Sequence, residues 1–300
     1  MGPIPISFDS HSLFLLNIIL ALMMFGVSLT LRVEDFQRVV TSPRPTLVGV
    51  GAQFLLLPAL SCLLTWGFRV EPELALGMML VAACPSGSFS NIMTFLARGN
   101  VALSVSMTAI CSLLALILTP FNFWFYGSLN PYTRPLLQDN NVEAGQIIGF
   151  VLLVLVLPLL LGMLAGRWRP ALARRLEKPL RPLSLIIFLA FVALAFAKNI
   201  DLFVRYMPIF AGLVIVQNLL ALLTGYVAAT LMRLEEGDRR AVTIEVGIQN
   251  SGLALAILFT FYPQAGGMML IAAFWGVWHL VSGSLLAFLW SRQPFPKSAP

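Results

Sequence analysis

Nine long apolar stretches divide the 300-residue chain, and they constrain its fold more than any other feature. A bilayer core of about 30 Å is crossed by a helix of roughly 20 apolar residues. The chain is 59% hydrophobic and 11% charged, whereas a soluble domain carries about 25% charged residues. We therefore predict an all-α polytopic membrane protein of one domain, residues 1–300, with nine transmembrane helices at about 13–31, 46–66, 74–97, 101–126, 146–165, 183–197, 208–232, 241–262 and 267–290.

The same composition excludes several other classes of protein. The short loops leave no space for a soluble catalytic domain. Cys62, Cys84 and Cys111 all lie in apolar stretches, so we do not expect a disulfide scaffold. The basic residues are scattered through the loops, so nucleic acid is not an expected partner. The lipid bilayer is the expected partner, and the sequence indicates no obligate protein partner.

The distribution of positive charge predicts the orientation of the chain. With the N-terminus outside, 15 of the 19 Lys and Arg residues fall in cytoplasmic loops, and only four fall outside, at Arg69, Arg134, Lys198 and Arg205. The positive-inside rule requires such an asymmetry. We expect a multi-pass protein of the cell (inner) membrane with a cytoplasmic C-terminus. Residues 1–9 contain no Lys or Arg, so we do not expect a signal peptide there.

Two of the nine spans contain polar, glycine-rich breaks, at residues 85–91 and 245–252. Pro85 removes a backbone donor, and Gly247 and Gly252 weaken the helix around them. Unwound backbone is tolerated at membrane depth only where it lines a cavity or is buried in protein. These breaks therefore indicate a binding site inside the membrane.

The order of the spans predicts an inverted repeat. One broken span is third in the run of four helices at 1–126, and the other occupies the same place in the last four helices of a second, five-helix unit at 146–290. The two runs enter the membrane from opposite sides. Inverted repeats that each contain one broken helix are typical of secondary transporters.

Glu245 is the one acidic residue that falls inside a predicted span. A carboxylate at membrane depth is costly and marks a functional site by default. An alternative is that Glu245 lies near the cytoplasmic interface, five residues after Arg240, and caps the helix or pairs with an arginine. The neighbouring amide and hydroxyl groups favour the functional interpretation, because a simple cap needs none of them.

Crossed broken helices offer two kinds of ligand side by side. Backbone carbonyls, hydroxyls and one carboxylate suit a small hard cation, whereas the free N–H groups at half-helix N-termini suit an anion. The residues alone therefore predict cation-coupled transport of an organic anion near the bilayer midplane.

Two runs, at residues 90–104 and 245–254, resemble the bile acid:sodium symporter family. The stretches 24–31, 52–54 and 278–284 support the resemblance, which covers nearly the whole chain in order. It implies a core domain, from helices at about 46–126 and 208–290, and a panel domain that moves against it, from about 13–31, 146–165 and 183–197. It also implies a nine-helix form that lacks the first helix of ten-helix bacterial members.

The resemblance also implies ligands for two sodium ions and an organic anion such as a bile acid or another carboxylate. The first sodium site would use Ser90, Asn91, Ser104, Thr108 and Glu245. The second would use the side chains of Gln53, Glu245 and Gln249 with the carbonyls of Val246 and Ile248. Substrate would meet Ser88 and Asn250. His279 is a further substrate candidate, although a buried histidine is more often a packing residue.

Two positions depart from the family pattern. The family usually has Pro-Gly-Gly before the crossing, and this chain has Pro85-Ser86-Gly87. Leu280 stands where the family often has a polar residue. Each candidate ligand also has a structural alternative: Ser104 and Thr108 could bond their own helix carbonyls, Asn91 could cap a half-helix, and Gln53 could join two helices.

Two other functions remain open from the sequence. A proton-coupled carrier would use Glu245 itself as the proton site. An intramembrane serine hydrolase would pair Ser251 with His279, but it would not explain Glu245, Gln249 or the repeat. A sodium:organic-anion symporter that works by alternating access is the prediction that accounts for most of these residues, and it is not an enzyme.

Overall fold

The computed structural model describes residues 10–29, 43–139, 144–173 and 200–293, with isolated positions between 174 and 199. These parts of the chain are helical throughout, apart from short connections. The span predicted at 183–197 lies largely outside the described residues, as do the loop at 30–42 and both chain ends. The total of nine transmembrane helices therefore stays a prediction.

The first half of the chain contains, in order, an uninterrupted helix, a helix with a π-turn, an interrupted helix and a long helix. Helix α1 spans Ser10–Ser28. The second span is α2 (Pro43–Gly51), a π-turn (Ala52–Leu56) and α3 (Leu57–Gly67). The third is split into α4 (Pro72–Ala83) and α5 (Phe89–Leu96). Long α6 (Val101–Leu129) and short α7 (Arg134–Asp139) follow.

The second half also contains a helix with a π-turn and an interrupted helix, but in a different order, so the inverted repeat stays a prediction. A helix with a π-turn comes first, as α8 (Ala144–Val151), the turn (Leu152–Val156) and α9 (Leu157–Trp168). Helix α10 spans Ile200–Leu231. The interrupted pair is α11 (Glu236–Gly247) and α12 (Ser251–Phe261), followed by α13 (Gly266–Ser291).

Five of these helical stretches are long and apolar enough to cross a bilayer: Pro43–Gly67, Val101–Leu129, Gly145–Trp168, Val204–Leu231 and Gly266–Ser291. Helices α4 and α12 are apolar but too short to do so alone. Helix α10 begins earlier than the span predicted at 208–232, because the apolar criterion stops at Arg205 and Asp201 while the helix does not. The described parts of the chain are thus all-helical, with the helix lengths and apolar composition of a multi-pass membrane protein.

The two interrupted helices cross at their breaks and satisfy each other's backbone. Ser86 and Gln249 form an antiparallel bridge. The Gly87 N–H donates to the Ile248 carbonyl at 2.8 Å, and the Asn250 N–H donates to the Pro85 carbonyl at 2.8 Å. Backbone groups without partners would be costly inside a membrane. A Cβ on Gly87 would lie 2.9 Å from the Gln249 carbonyl oxygen, so glycine is required for this approach.

The second break is shorter than the sequence predicts. Helix α11 continues through Gly247, so Glu245 and Val246 are helical and only residues 248–250 are irregular. No glycine among the described residues has a positive φ. Gly247 instead lies against the Leu222 side chain of α10. The glycine that looked like a helix breaker therefore allows close helix packing.

Packing around the crossing places α1 against α9 and the second π-turn, while α10 contacts α11 and α13 contacts α4. Gly162 permits the first contact, since a Cβ there would lie 2.5 Å from the Phe25 carbonyl oxygen. Prolines 58 and 158 follow the two π-turns. Pro58 has no N–H to donate, and the freed Phe54 carbonyl accepts the Asn122 amide at 2.7 Å.

Candidate cation and substrate site

Five polar side chains from three helices meet beside the crossing, and we refer to them as the carboxylate cluster: Ser90, Asn91, Ser104, Thr108 and Glu245. Ser90 Oγ donates to Glu245 Oε1 at 2.5 Å, and Ser104 Oγ bonds the same oxygen. Thr108 Oγ1 lies 3.0 and 3.1 Å from the two carboxylate oxygens. All five predicted residues of the first sodium site are brought together here.

Helix geometry explains why these residues converge. Ser104 and Thr108 are four residues apart on α6 and therefore share one face. Ser104 Oγ lies 2.8 Å from Asn91 Oδ1, and Thr108 Oγ1 lies 3.3 Å from it. Asn91 is thus a member of the cluster rather than a helix cap. Thr108 also bonds the Ser104 carbonyl at 3.0 Å, so the back-bonding alternative holds in part.

The chemistry of the carboxylate cluster fits a small hard cation. Glu245 is fully buried, and a buried charge must be paired or otherwise compensated. Among the described residues, ion pairs are made by Glu236 with Arg239 and Arg240, and none involves Glu245. The hydroxyls that donate to Glu245 keep lone pairs for a metal ion. Within the described chain, no group of three His, Cys, Asp or Glu side chains would favour a transition metal instead.

Gln53 and Gln249 form a second polar contact, which we call the glutamine pair. Gln53 Nε2 donates to Gln249 Oε1 at 2.8 Å, and Gln249 Nε2 donates back to Gln53 Oε1 at 3.2 Å. The same amides also donate to the Cys84 carbonyl at 2.9 Å and the Val246 carbonyl at 2.6 Å. The π-turn holds Gln53 on the face that meets the crossing.

The predicted second sodium site is brought together only in part. Gln53, Gln249 and the Val246 carbonyl are in contact. The Glu245 carboxylate bonds the hydroxyls of the first cluster and neither glutamine of the pair. The Ile248 carbonyl accepts the Gly87 N–H across the crossing. Coordination of an ion by this full set would require these bonds to rearrange.

A cavity beside the crossing contains all three predicted substrate residues. Ser88, Asn250 and His279 line it together with the apolar side chains of Leu20, Met24, Val154, Leu155 and Leu280. Asn250 Oδ1 caps α12 by accepting the Leu253 N–H at 3.0 Å. Its amide nitrogen lies 3.8 Å from Met24 Sδ. His279 is buried, and its Nδ1 has no hydrogen-bond partner.

The sequence missed the side chains that hold the half-helix ends. Asn218 donates to the Gly247 carbonyl at 2.8 Å through Nδ2, and its Oδ1 accepts a hydrogen bond from the Ser282 hydroxyl at 2.5 Å. Thr119 donates to the Ala83 carbonyl at 2.8 Å. Each binds the last carbonyl of a half-helix, where helical partners are missing. The position of these polar residues inside long apolar spans could have indicated a structural role, but the sequence does not identify the carbonyl that each one binds.

The hydrolase alternative gains no support from this geometry. No hydrogen bond between Ser251 and His279 occurs in the described parts of the chain, where the His279 Nδ1 is unpartnered. Ser251 lies in the first turn of α12.

Crossed interrupted helices around a buried carboxylate, in a multi-pass helical protein, define a secondary membrane transporter. A profile of the sodium bile acid symporter family matches residues 17–206, more than half of the chain. The chain belongs to this family, whose members are transporters and not enzymes.

Relatives cover most of the chain at moderate identity. The uncharacterized sodium-dependent transporter YocS of Bacillus subtilis (strain 168) is 31% identical over 95% of this chain and 85% of that protein. The human P3 protein is 31% identical over 78% of this chain and 48% of its own length. The probable sodium/metabolite cotransporter BASS1, chloroplastic, of Arabidopsis thaliana is 28% identical over 91% of this chain and 66% of that protein.

Proposed function

We propose that this protein is a sodium-coupled symporter of a small organic anion, with two sodium ions bound at the carboxylate cluster and at the glutamine pair. The observation that carries the proposal is the full burial of Glu245 among neutral oxygen ligands, with no ion-pair partner among the described residues. A monovalent cation would balance that charge. The names of relatives such as YocS and BASS1 agree with sodium as that cation.

Substrate would bind in the cavity beside the crossing. The N-terminus of α12 lies at the cavity, and helix N-termini favour negative charge. The Asn250 amide and the His279 imidazole would donate hydrogen bonds to a carboxylate, and Ser88 would add a hydroxyl. The apolar wall suits a hydrocarbon body, so a bile acid or a smaller carboxylate fits the chemistry of the site.

Sodium would act on the substrate site through the crossing itself. Gln249 belongs to the glutamine pair, and the next residue, Asn250, faces the cavity. An ion that orders residues 245–250 would therefore also fix the substrate donor. Alternating access would follow from rocking of a panel, formed by the helices at about 13–31, 146–165 and 183–197, against the core. The N-terminus would lie outside and the C-terminus in the cytoplasm of a bacterial inner membrane.

Uptake by proteoliposomes tests this function. Labelled taurocholate, pantoate and pyruvate would be offered under an inward sodium gradient, an inward potassium gradient or a pH gradient without sodium. We expect uptake of at least one anion with sodium only, and counterflow of the same anion. Glu245→Gln should abolish the sodium response, while Glu73→Gln, a carboxylate change in the first turn of α4, should keep it.

The alternatives make different predictions in this assay. Uptake driven by the pH gradient without sodium would establish the proton-coupled carrier instead. Sodium-independent flux without counterflow would indicate a channel. Wild-type uptake by Glu245→Gln would remove the carboxylate cluster from the mechanism.

A further inference from the structure

Ser86 is a buried hydroxyl at the crossing for which none of the roles above accounts. Its side chain is 1% exposed, and its Oγ makes no hydrogen bond of acceptable geometry. Its backbone, by contrast, is engaged in the bridge to Gln249. Buried hydroxyls nearly always have a partner, because an unsatisfied one forfeits its bonds to water. The position therefore calls for a ligand.

The surroundings of Ser86 point toward the carboxylate cluster. Its side chain interacts with the Glu245 carboxylate and with the Cys111 thiol. Cys111 comes three residues after Thr108 and seven after Ser104 on α6, so the three share one helix face. Ser86 thus lies at one end of the row of groups that contact Glu245.

Glu245 is already well supplied with protein donors. Its Oε1 accepts from Ser90, Ser104 and Thr108. Ser86 adds a further hydroxyl close to the carboxylate, with no hydrogen bond of acceptable geometry, and its oxygen lone pairs are free. Such an oxygen beside a carboxylate is what a small cation binds.

We propose that Ser86 Oγ is an additional oxygen ligand for the sodium ion held by the carboxylate cluster. The inference rests on the proposed function, because it names a ligand of the same ion. Ser86 adds an oxygen without adding charge, so it would tighten sodium binding and leave the electrostatic balance of the site unchanged. It would also link the ion directly to the crossing, since Ser86 and Gln249 are bridged.

A structural role and a ligand role make opposite predictions for stability without sodium. Because Ser86 Oγ makes no hydrogen bond of acceptable geometry, its removal should not destabilise the protein in potassium. Its loss should appear only in the sodium response. Glycine also lacks the hydroxyl, and without a Cβ it can adopt the backbone conformation of Ser86 at the bridge, so Ser86→Gly provides a second variant that should fold.

The test is thermal unfolding of the detergent-purified full chain, titrated with sodium chloride against potassium chloride at constant ionic strength. Ser86→Ala and Ser86→Gly should unfold in potassium at or above the wild-type temperature. We expect both to need about fivefold more sodium for half-maximal stabilisation, which corresponds to one neutral ligand. The matched control is Ser106→Ala, since Ser106 is equally buried but bonds only the Ala102 carbonyl of its own helix.

Three other outcomes would overturn the inference, and they separate it from the proposed function. A normal sodium midpoint in both Ser86 variants, with the wild type responding, would remove Ser86 from the site and leave the symporter proposal standing. A lower melting temperature in potassium with an unchanged midpoint would make Ser86 structural. No sodium response in the wild type would overturn both proposals together.

Discussion

The carboxylate cluster and the glutamine pair lie at the same crossing, yet they are stabilised in opposite ways. In the glutamine pair, both amides donate to an acceptor on the partner glutamine and to a backbone carbonyl. The pair is neutral and internally satisfied. In the carboxylate cluster, hydroxyls surround a buried charge that no described residue neutralises. The glutamine pair needs no further partner for its amides, whereas the carboxylate cluster needs a positive charge.

This difference suggests an order of binding. The carboxylate cluster has its ligands already gathered, so an ion can bind there with little rearrangement. The glutamine pair must exchange amide hydrogen bonds for ion contacts before its oxygens become available. We expect the cluster to fill first and the pair to open when the crossing moves. The experiments below test the two halves of this comparison, beginning with the largest expected effect.

Glu245→Gln should abolish stabilisation by sodium. The wild type should gain about 2.7 kcal/mol of apparent stability when sodium reaches one hundred times its dissociation constant. The variant should gain none, because the charge that attracts the ion is gone. In potassium the variant should be at least as stable as the wild type, since a buried charge has been removed.

Thermal unfolding in sodium and in potassium measures both effects. The matched control is Glu73→Gln, which alters a half-buried carboxylate that accepts the Gly267 N–H at 2.8 Å. Glu73 lies in the first turn of α4, at the opposite end of that helix from the break. An unchanged sodium increment in Glu245→Gln would mean that the cluster is not the ion site. A lost increment in the control would mean that general charge, and not this site, governs the response.

Gln53→Ala and Gln249→Ala should each lower stability in potassium by about 2 kcal/mol, because each leaves a buried amide without its partner. The double variant should lose less than the sum, since the second substitution removes a group that is already unsatisfied. Chemical denaturation of all four proteins gives this coupling. Strictly additive losses would show that the two amides do not form a pair. The glutamine pair would then not be the internally satisfied region that the comparison assumes.

Asn250→Asp tests whether substrate binding in the cavity can be weakened without a change in sodium binding. Aspartate keeps an oxygen that can cap α12 at Leu253, but it loses the amide donor and adds a negative charge. We expect the KM for the transported anion to rise about tenfold or more, or about 1.4 kcal/mol. The sodium midpoint should stay the same.

Asn250→Ser is the companion variant, because it keeps a capping hydroxyl without the added charge and should have a smaller effect on KM. Uptake kinetics and thermal titration are measured on the same preparations. A sodium midpoint that shifts as much as KM in Asn250→Asp would make the residue structural.

The extent of prediction from sequence differs between the two regions for physical reasons. The meeting of Ser104, Thr108 and Glu245 was predicted from the resemblance to the symporter family. The cost of charge inside an apolar span singles out Glu245 by itself, and helical spacing puts the two hydroxyls on one face. The glutamine pair was harder, since it depends on a π-turn that turns Gln53 toward the crossing. No periodic pattern predicts that turn, and only Pro58 marks it.

The breaks themselves were predicted with the right location but partly with the wrong reason. Pro85 does lie in the first break, and Gly87 is needed for close approach to Gln249. Gly247, however, is helical and packs on Leu222. The sequence alone cannot distinguish a glycine that interrupts a helix from one that allows close helix packing, because the residue type is the same in both cases.

Glu236 provides the smallest and most specific test, because it is a carboxylate compensated by protein. Burial disfavours its ionised form, but the side chains of Arg240 and Arg239 outweigh burial and hold the pKa of Glu236 below its ordinary 4.5. A folded-state pKa that is lowered stabilises the protein above about pH 4.5, and this contribution disappears as the pH falls through the folded-state value. The pair is partly exposed, so the contribution should be below about 1 kcal/mol.

Glu236→Gln should therefore lower stability slightly at pH 7 and make it less dependent on pH below 4.5, while the sodium increment stays that of the wild type. Thermal unfolding from pH 3 to 7, in sodium and in potassium, measures both quantities. A variant that loses its sodium increment would contradict the comparison, because it would show that sodium responds to a carboxylate already neutralised by arginine. A retained increment would restrict the sodium response to buried carboxylates without a cationic partner. Of the three acidic residues in α11, Glu236 pairs with arginine and Asp238 is partly exposed and accepts from Asn100, so Glu245 alone is fully buried without an ion pair among the described contacts.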